Sequence, residues 1–187
     1  MRRLGRAPGP SRKAARKEKS VMPDPIPADA VILRELRPGD AGWLVMRHGE
    51  LYHRDEGFDL TFEALVAEIL AAFIRDHDPA FERGWIAEHG GRRLGSIFCV
   101  RAGKGVAKLR LFLVEPEARG TGLAKRLIET CMEWARARGY GRMVLWTHES
   151  HRAACALYAR HGFLLTESRP VRSFGCDLVQ QSWEIDL

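Results

Sequence analysis

The 187-residue chain has no apolar run of the length that a signal peptide or a membrane span needs, so a soluble, cytoplasmic protein with no membrane partner is the expectation. Cysteine is scarce. Cys99, Cys131, Cys155 and Cys176 stand far apart, with no Cys-x-x-Cys pair and no histidines at matching spacing. That pattern argues against a metal site and against a disulfide framework, and reads as buried thiols in a reducing compartment. No Gly-Lys-Ser/Thr follows four spacers from a glycine, which excludes the nucleoside-triphosphate loop. The dinucleotide fingerprint is missing as well, because the sixth place counted from Gly120 holds Lys125 instead of a small residue. A general basic character is also absent despite the net charge of +6: residues 1 to 20 carry eight Lys/Arg against one acid, which leaves the remainder at minus one. The basicity belongs to the tail and makes no case for a nucleic-acid-binding fold. Residues 1 to 28 combine that charge with five prolines and almost no bulky apolar side chains, a composition that cannot form a core. A disordered basic tail is expected there. Pro8 and Pro10 argue against an organelle address, and Met22 offers an alternative start.

What remains, residues 29 to 187, suits one domain with a single sizeable core. Val31 to Arg37 alternates as a strand and ends at Pro38-Gly39. Asp40 is placed to cap a helix to about His53, and Thr61 to cap a second helix with the stripe Phe62, Leu65, Val66, Ile69, Leu70 and Phe73. Gly84 to His89 and Arg93 to Arg101 flank the hairpin turn Gly90-Gly91, and Lys108 to Val114 follows as a third strand. Leu123, Leu127 and Cys131 lie on one helix face, with Gly139 as the stop. Arg142 to Thr147 is a buried strand. Ser150 caps a helix carrying Ala154, Leu157 and Tyr158 that Gly162 ends, and Phe163 to Glu167 and Gln180 to Leu187 close the chain as strands. The order is α/β, with a mostly antiparallel mixed sheet flanked by helices.

Between the third of these strands and its helix lies Arg119-Gly120-Thr121-Gly122-Leu123-Ala124-Lys125. Glycines let backbone amides approach a ligand closely, and a helix N-terminus adds unpaired N–H groups and partial positive charge. The junction is suited to hold phosphate. Its pattern, Arg/Gln-x-x-Gly-x-Gly/Ala, resembles the pyrophosphate motif of the GNAT acyltransferases, which bind acetyl-coenzyme A. A second segment, from Ala154 through Leu157-Tyr158 to Gly162-Phe163, resembles that family's Ala-x-x-Leu-Tyr-x-x-x-Gly-Phe signature and follows in the right order. Arg47-His48-Gly49, Leu51-Tyr52, Leu145-Trp146-Thr147 and Ser173-Phe174-Gly175 look like one subgroup, the acetyltransferase half of bacterial proteins that carry a MarR-type regulator fused to a GNAT domain. The match runs from about Leu33 to Leu187. The tail is too short and polar for a winged helix, so the regulator half is expected to be absent.

The resemblance implies a twisted GNAT-like sheet, acetyl-coenzyme A as co-substrate without a metal, and transfer of the acetyl group to a primary amine of a small molecule or peptide by direct attack. A homodimer is compatible with it, and nucleic acid is not an expected partner. By position it carries cofactor binding to Phe112, Leu113 and Val114 on the strand, to Arg119, Gly120, Thr121, Gly122, Leu123, Ala124 and Lys125 at the turn, and to His151, where many members have Asn. Tyr158 takes the place of the general acid. The strand position that supplies a glutamate base in some relatives holds Trp146, so no base is assigned. Glu50, Tyr52, His53, His148 and Glu149 are candidates near the acceptor side, whereas His48 reads as a satisfied core histidine. A different class shares the same turn: a non-catalytic acyl-coenzyme A binding or sensing module.

Overall fold

The computed structural model describes residues 30–187. The tail expected to be disordered therefore lies outside the described residues. Seven strands form one sheet: β1 (Ile32–Arg34), β2 (Arg83–His89), β3 (Arg92–Gly103), β4 (Val106–Val114), β5 (Arg142–His148), β6 (Leu164–Ser173) and β7 (Cys176–Asp186). Four helices, α1 (Asp40–Glu56), α2 (Leu60–Asp76), α3 (Leu123–Ala137) and α4 (Arg152–Arg160), flank it. The spatial order is β1-β2-β3-β4-β5-β7-β6, and every neighbouring pair is antiparallel except β4 with β5. The α/β architecture expected from the element order is the one observed.

Strand residues alternate between two apolar clusters, one on each face. Trp85, Ala87, Ile97, Cys99, Ala107 and Leu109 meet α3 through Leu123, Leu127, Ile128 and Cys131. Ile86, Phe98 and Leu111 meet α1 and α2 through Leu44, Phe62, Val66 and Leu70. Each such leucine or phenylalanine contributes on the order of 1.5–3 kcal/mol by leaving water.

The strand that breaks the alternation is β4. Phe98 faces Arg110 and Ser96 faces Leu113, so Ile97 alone opposes both Leu111 and Phe112. This bulge sets Leu111 at φ 46, a left-handed conformation that leucine rarely adopts, and the Ser96 hydroxyl donates to the Leu111 carbonyl at 2.6 Å. A bulged strand bends. β4 accordingly pairs with β5 only over Val106–Lys108 against Arg142–Val144, and the rest of the two strands diverge.

Several local expectations are corrected. The first paired strand is only Ile32–Arg34. Asp59, not Thr61, caps α2, accepting from the Thr61 amide at 2.9 Å. Ser150 caps nothing: α4 begins after His151 with no side-chain cap. The last two strands are longer than expected and meet at the Phe174-Gly175 turn, both residues at positive φ. Cys99 and Cys131 are buried, while Cys155 and Cys176 are only half-buried.

Asp40 is not a cap either. Gly39, at φ 92, holds that position, and Asp40 turns its fully buried carboxylate back toward β1 and β3. It accepts from Arg34 at 2.6 Å, from Arg93 at 2.7 Å and from the Arg37 amide at 2.7 Å. Burial alone would raise its pKa, but the hydrogen bonds from Arg34, the Arg37 amide and Arg93 together leave it below the usual carboxylate value. The cluster seats the N-terminus of α1 on the sheet. Removing a buried carboxylate strands its partners, so Asp40→Ala is expected to destabilise by about 3 kcal/mol, read as a lowered urea midpoint at unchanged slope. The stability that Asp40 supplies is full at neutral pH and is lost as pH falls through its depressed pKa. A wild-type midpoint in the variant would remove the cluster from the account of the fold.

Candidate functional site

Where β4 and β5 part, the β5-facing edge of β4 beyond Lys108 has no strand partner, although Leu113 and Val114 still pair with Ser96 and Gly95 on the other side. The backbone of Phe112–Val114 thus presents an open edge to a cleft of about 520 Å³. The cleft is walled by Tyr52, Asp55 and Glu56 of α1, by the turn at Arg119 and Gly120, and by the first turns of α4. An extended chain with amide groups could lie on such an edge as a strand does.

At the mouth, Gly120 and Gly122 sit at φ 78 and 92, conformations that a side chain would strain. Gly122 is the first flanking residue of α3. Among the described residues the amides of Gly120, Gly122, Ala124 and Lys125 have no hydrogen-bond acceptor. Unpaired donors at the positive end of a helix are suited to receive an anion. Thr121 contributes indirectly, its hydroxyl donating to the Ala118 carbonyl at 2.8 Å and accepting from the Leu123 amide at 3.4 Å. The Leu123 side chain is in the core, so only its backbone stands at the turn. Lys125 is exposed and 3.8 Å from Glu129. Arg119 spans the mouth, donating to the Val114 carbonyl at 3.3 Å with Asp55 at 3.7 Å.

A second, smaller chamber of about 100 Å³ opens on the α1/α2 face of the same divergence. His48, Phe62, Leu65, Ile69, Arg110, Trp146, His148 and Tyr158 line it. Tyr52, Phe112 and His151 line both spaces, so the two meet at one wall. Its rings touch: the centroid of Tyr52 is 5.0 Å from that of His151, and His151 is 5.5 Å from His148.

The chamber is dry. Burial lowers the pKa of His48, His148 and His151 to about 4, the neighbouring His151 adding to the effect on His148, so all three rings are neutral at pH 7. His151 Nδ1 is 3.1 Å from the Thr147 hydroxyl, and its Nε2, 3.6 Å from Glu56, has no hydrogen-bond partner; neither has Nδ1 of His148. Burial pushes the Tyr52 phenol up to about 12 and that of Tyr158 further, with Tyr52 adding to the latter shift. Both remain protonated across any working pH. The Tyr158 ring packs between Phe112, Phe163 and Trp183, and its hydroxyl makes no hydrogen bond among the described residues.

The structure brings Tyr158, His151, Tyr52, His148 and the β4 residues together. It leaves the others out. Glu50 is exposed and paired with Arg47, His53 bonds the Phe58 carbonyl at 2.8 Å, and Glu149 is exposed. His48 is the satisfied core histidine expected, its Nδ1 2.8 Å from the Leu44 carbonyl, although its ring also faces the chamber. Sequence reasoning missed two residues that shape the site. Glu115, almost fully buried, takes a two-point grip from Arg47 at 2.7 and 2.6 Å, which ties α1 to the end of β4. Arg110 faces the chamber; a charge inside a strand that runs into the core was its signal.

Comparison with known proteins agrees with this geometry. A family model described as the acetyltransferase (GNAT) family matches residues 43–163. N-acetyltransferase 8 of Rattus norvegicus is 33% identical over 106 residues, covering 54% of this chain and 46% of that one. A mycothiol acetyltransferase of Salinispora tropica is 31% identical over 157 residues, covering 76% and 47%. The chain thus spans about half the length of these curated relatives. Among solved structures, an acetyltransferase from Salmonella typhimurium with its cofactor acetyl-CoA superposes at a TM-score of 0.64 with 18% identity, over 83% of this chain and 93% of that one, a likeness of fold.

The neutral histidines make stability depend on pH. Each binds a proton in the unfolded chain near 6.5 but in the folded protein only near 4, so acid favours unfolding. Stability is expected to be full above about pH 6.5 and to decline as pH falls toward 4. The test follows the C2 protons of the three rings by NMR: titration of all of them near 6.5 in the folded protein would show that the chamber is wet.

Proposed function

The chain belongs to the acetyltransferase (GNAT) family, and from that premise we propose that it is an N-acetyltransferase that moves an acetyl group from acetyl-coenzyme A to a primary amine in one direct step. The observation that carries the reading is the pair of spaces sharing the wall Tyr52, Phe112 and His151, one with glycine-turn amides at its mouth and the other lined by rings and hydrocarbon around Arg110. The free amides of Gly120, Gly122, Ala124 and Lys125, with Arg119, suit a pyrophosphate, and the open edge of Phe112–Val114 suits the amide-bearing arm that follows it. Acetyl-coenzyme A supplies the thioester as co-substrate. The residue types of the cleft fit it.

The chain's own groups orient and stabilise. Phe112–Val114 hold the thioester at the shared wall, where an amine in the smaller chamber meets it, and such positioning supplies much of the rate. The nitrogen lone pair forms the new C–N bond as the C–S bond breaks, and the electron pair left on sulfur is met by the protonated Tyr158 hydroxyl. The amine proton leaves through water, since imidazoles with pKa about 4 are weak bases. Among the described residues, neither space has a cysteine in its lining to support a covalent route. Hydrogen bonding to Cys99 and burial hold the Cys131 thiol protonated in the core, and burial raises Cys155, whose sulfur lies against the His148 carbonyl at 3.6 Å. Within the family, Arg47-His48-Gly49 and Ser173-Phe174-Gly175 support a place beside the acetyltransferase half of MarR-type fusion proteins.

Two measurements test this. Gly122→Val and Arg119→Ala should weaken acetyl-coenzyme A binding in calorimetry while the fold persists; wild-type affinity in both folded variants would remove the anion cradle from the site. Tyr158→Phe should lower turnover by about 10²-fold, the lower end of general-acid effects, with co-substrate binding little changed because the ring and its packing remain. Turnover within about threefold of wild type, set against that range, would reduce Tyr158 to a packing residue.

A further inference from the structure

The smaller chamber contains one full charge. Its lining includes no Asp or Glu, its three histidines are neutral, and its phenols stay protonated, which leaves the Arg110 guanidinium alone. Arg110 stands on β4 opposite Phe98, and Leu65 and Ile69 of α2 and Trp146 of β5 line the same chamber. It is half-buried and forms no ion pair or hydrogen bond among the described residues, and its Nε is buried without a partner. Burial lowers its pKa with no carboxylate to offset the effect, and Lys108, next on the same face, is lowered by burial and by Arg110. Other half-buried arginines of this protein are matched: Arg34 holds Asp40 and Glu88, and Arg47 holds Glu115 and Glu50.

A desolvated guanidinium without a partner is costly, and its planar fork fits a carboxylate. We propose that Arg110 receives the carboxylate of the acceptor, so that the substrate is a small amino acid with an apolar body and not a polyamine or another cation. This deepens the acetyltransferase reading and rests on it for the amine. The rest of the lining agrees. Phe62, Leu65, Val66, Ile69 and Trp146 offer hydrocarbon contact, and a chamber of about 100 Å³ holds a small group. Arg110 stands two residues along β4 from Phe112 on the shared wall, at most about 7 Å, which suits an amine and a carboxylate joined through a few atoms. An ammonium-bearing tail entering here would meet Arg110 with no acid in the lining to receive it.

The test avoids turnover. The full chain, saturated with coenzyme A, is titrated by calorimetry with 4-methylpentanoate and with 4-methylpentanamide, which share a hydrocarbon body and differ in the charge. The carboxylate is expected to bind at least about tenfold more tightly, the value of one charge-assisted contact. Arg110→Gln should bring the two ligands level and leave coenzyme A affinity unchanged, and Arg110→Lys should restore part of the preference. Equal binding of the two ligands by wild type, binding of neither at millimolar concentration, or a preference that survives Arg110→Gln overturns the proposal. The wild-type comparison stands even where a variant folds poorly. Acetyl transfer measured in parallel separates the two readings: transfer to amines without a carboxylate preference leaves the acetyltransferase reading intact and overturns this one, whereas a carboxylate preference in a protein that consumes no acetyl-coenzyme A does the reverse.

Discussion

Three residues of parallel pairing, Val106–Lys108 against Arg142–Val144, join the two halves of this sheet, and the site exists because the pairing stops there. Had β4 run straight, its edge would have been spent on β5 and no backbone would face the cleft. The bulge prevents this by placing two residues, Leu111 and Phe112, against Ile97 alone. The left-handed Leu111 costs conformational energy, offset by the Ser96 hydroxyl on its carbonyl and by burial of its side chain against α1 and α2. Because the bulge turns Arg110 and Leu111 toward one face and returns Phe112 to the other, a single irregularity supplies side chains to both spaces.

An opening in a sheet must also be held open. The helix that walls both spaces, α1, is fixed at one end by Asp40 on Arg34 and Arg93, and in its middle by Arg47 on Glu115 at the end of β4. These are buried charges with matched partners, which contribute geometry more than net stability. Their effect is to set Tyr52 at a fixed distance from His151 across the divergence. Around that pair the low polarity keeps imidazoles and phenols neutral.

What the sequence discloses follows the range of the interactions. The Gly120–Gly122 turn is legible because consecutive residues build it: the two glycines need only their own backbone conformations and the helix that follows. Tyr158 is legible for a similar reason, since its helix and the Gly162 stop are local. The Asp40 error is instructive. An aspartate at a helix start is a sound cap by composition, yet Gly39 takes the position and Arg34 and Arg93 draw the carboxylate away. Likewise nothing in the neighbourhood of Leu111 announces a left-handed leucine; a serine on another strand stabilises it. Arg47 and Glu115 are 68 residues apart, and no spacing rule links them. The order of elements survives such errors because hydrophobic periodicity fixes it, while the shape of the site depends on contacts that only folding brings about.

The common wall of Tyr52, Phe112 and His151 has a thermodynamic consequence. Two molecules seated on its opposite sides would border the same three rings, and whatever free energy the first lent the second would be returned in equal measure. A conjugate joining both occupants through the gap would surrender its rigid-body freedom once instead of twice. The geometry therefore rewards a tethered pair well beyond either half alone.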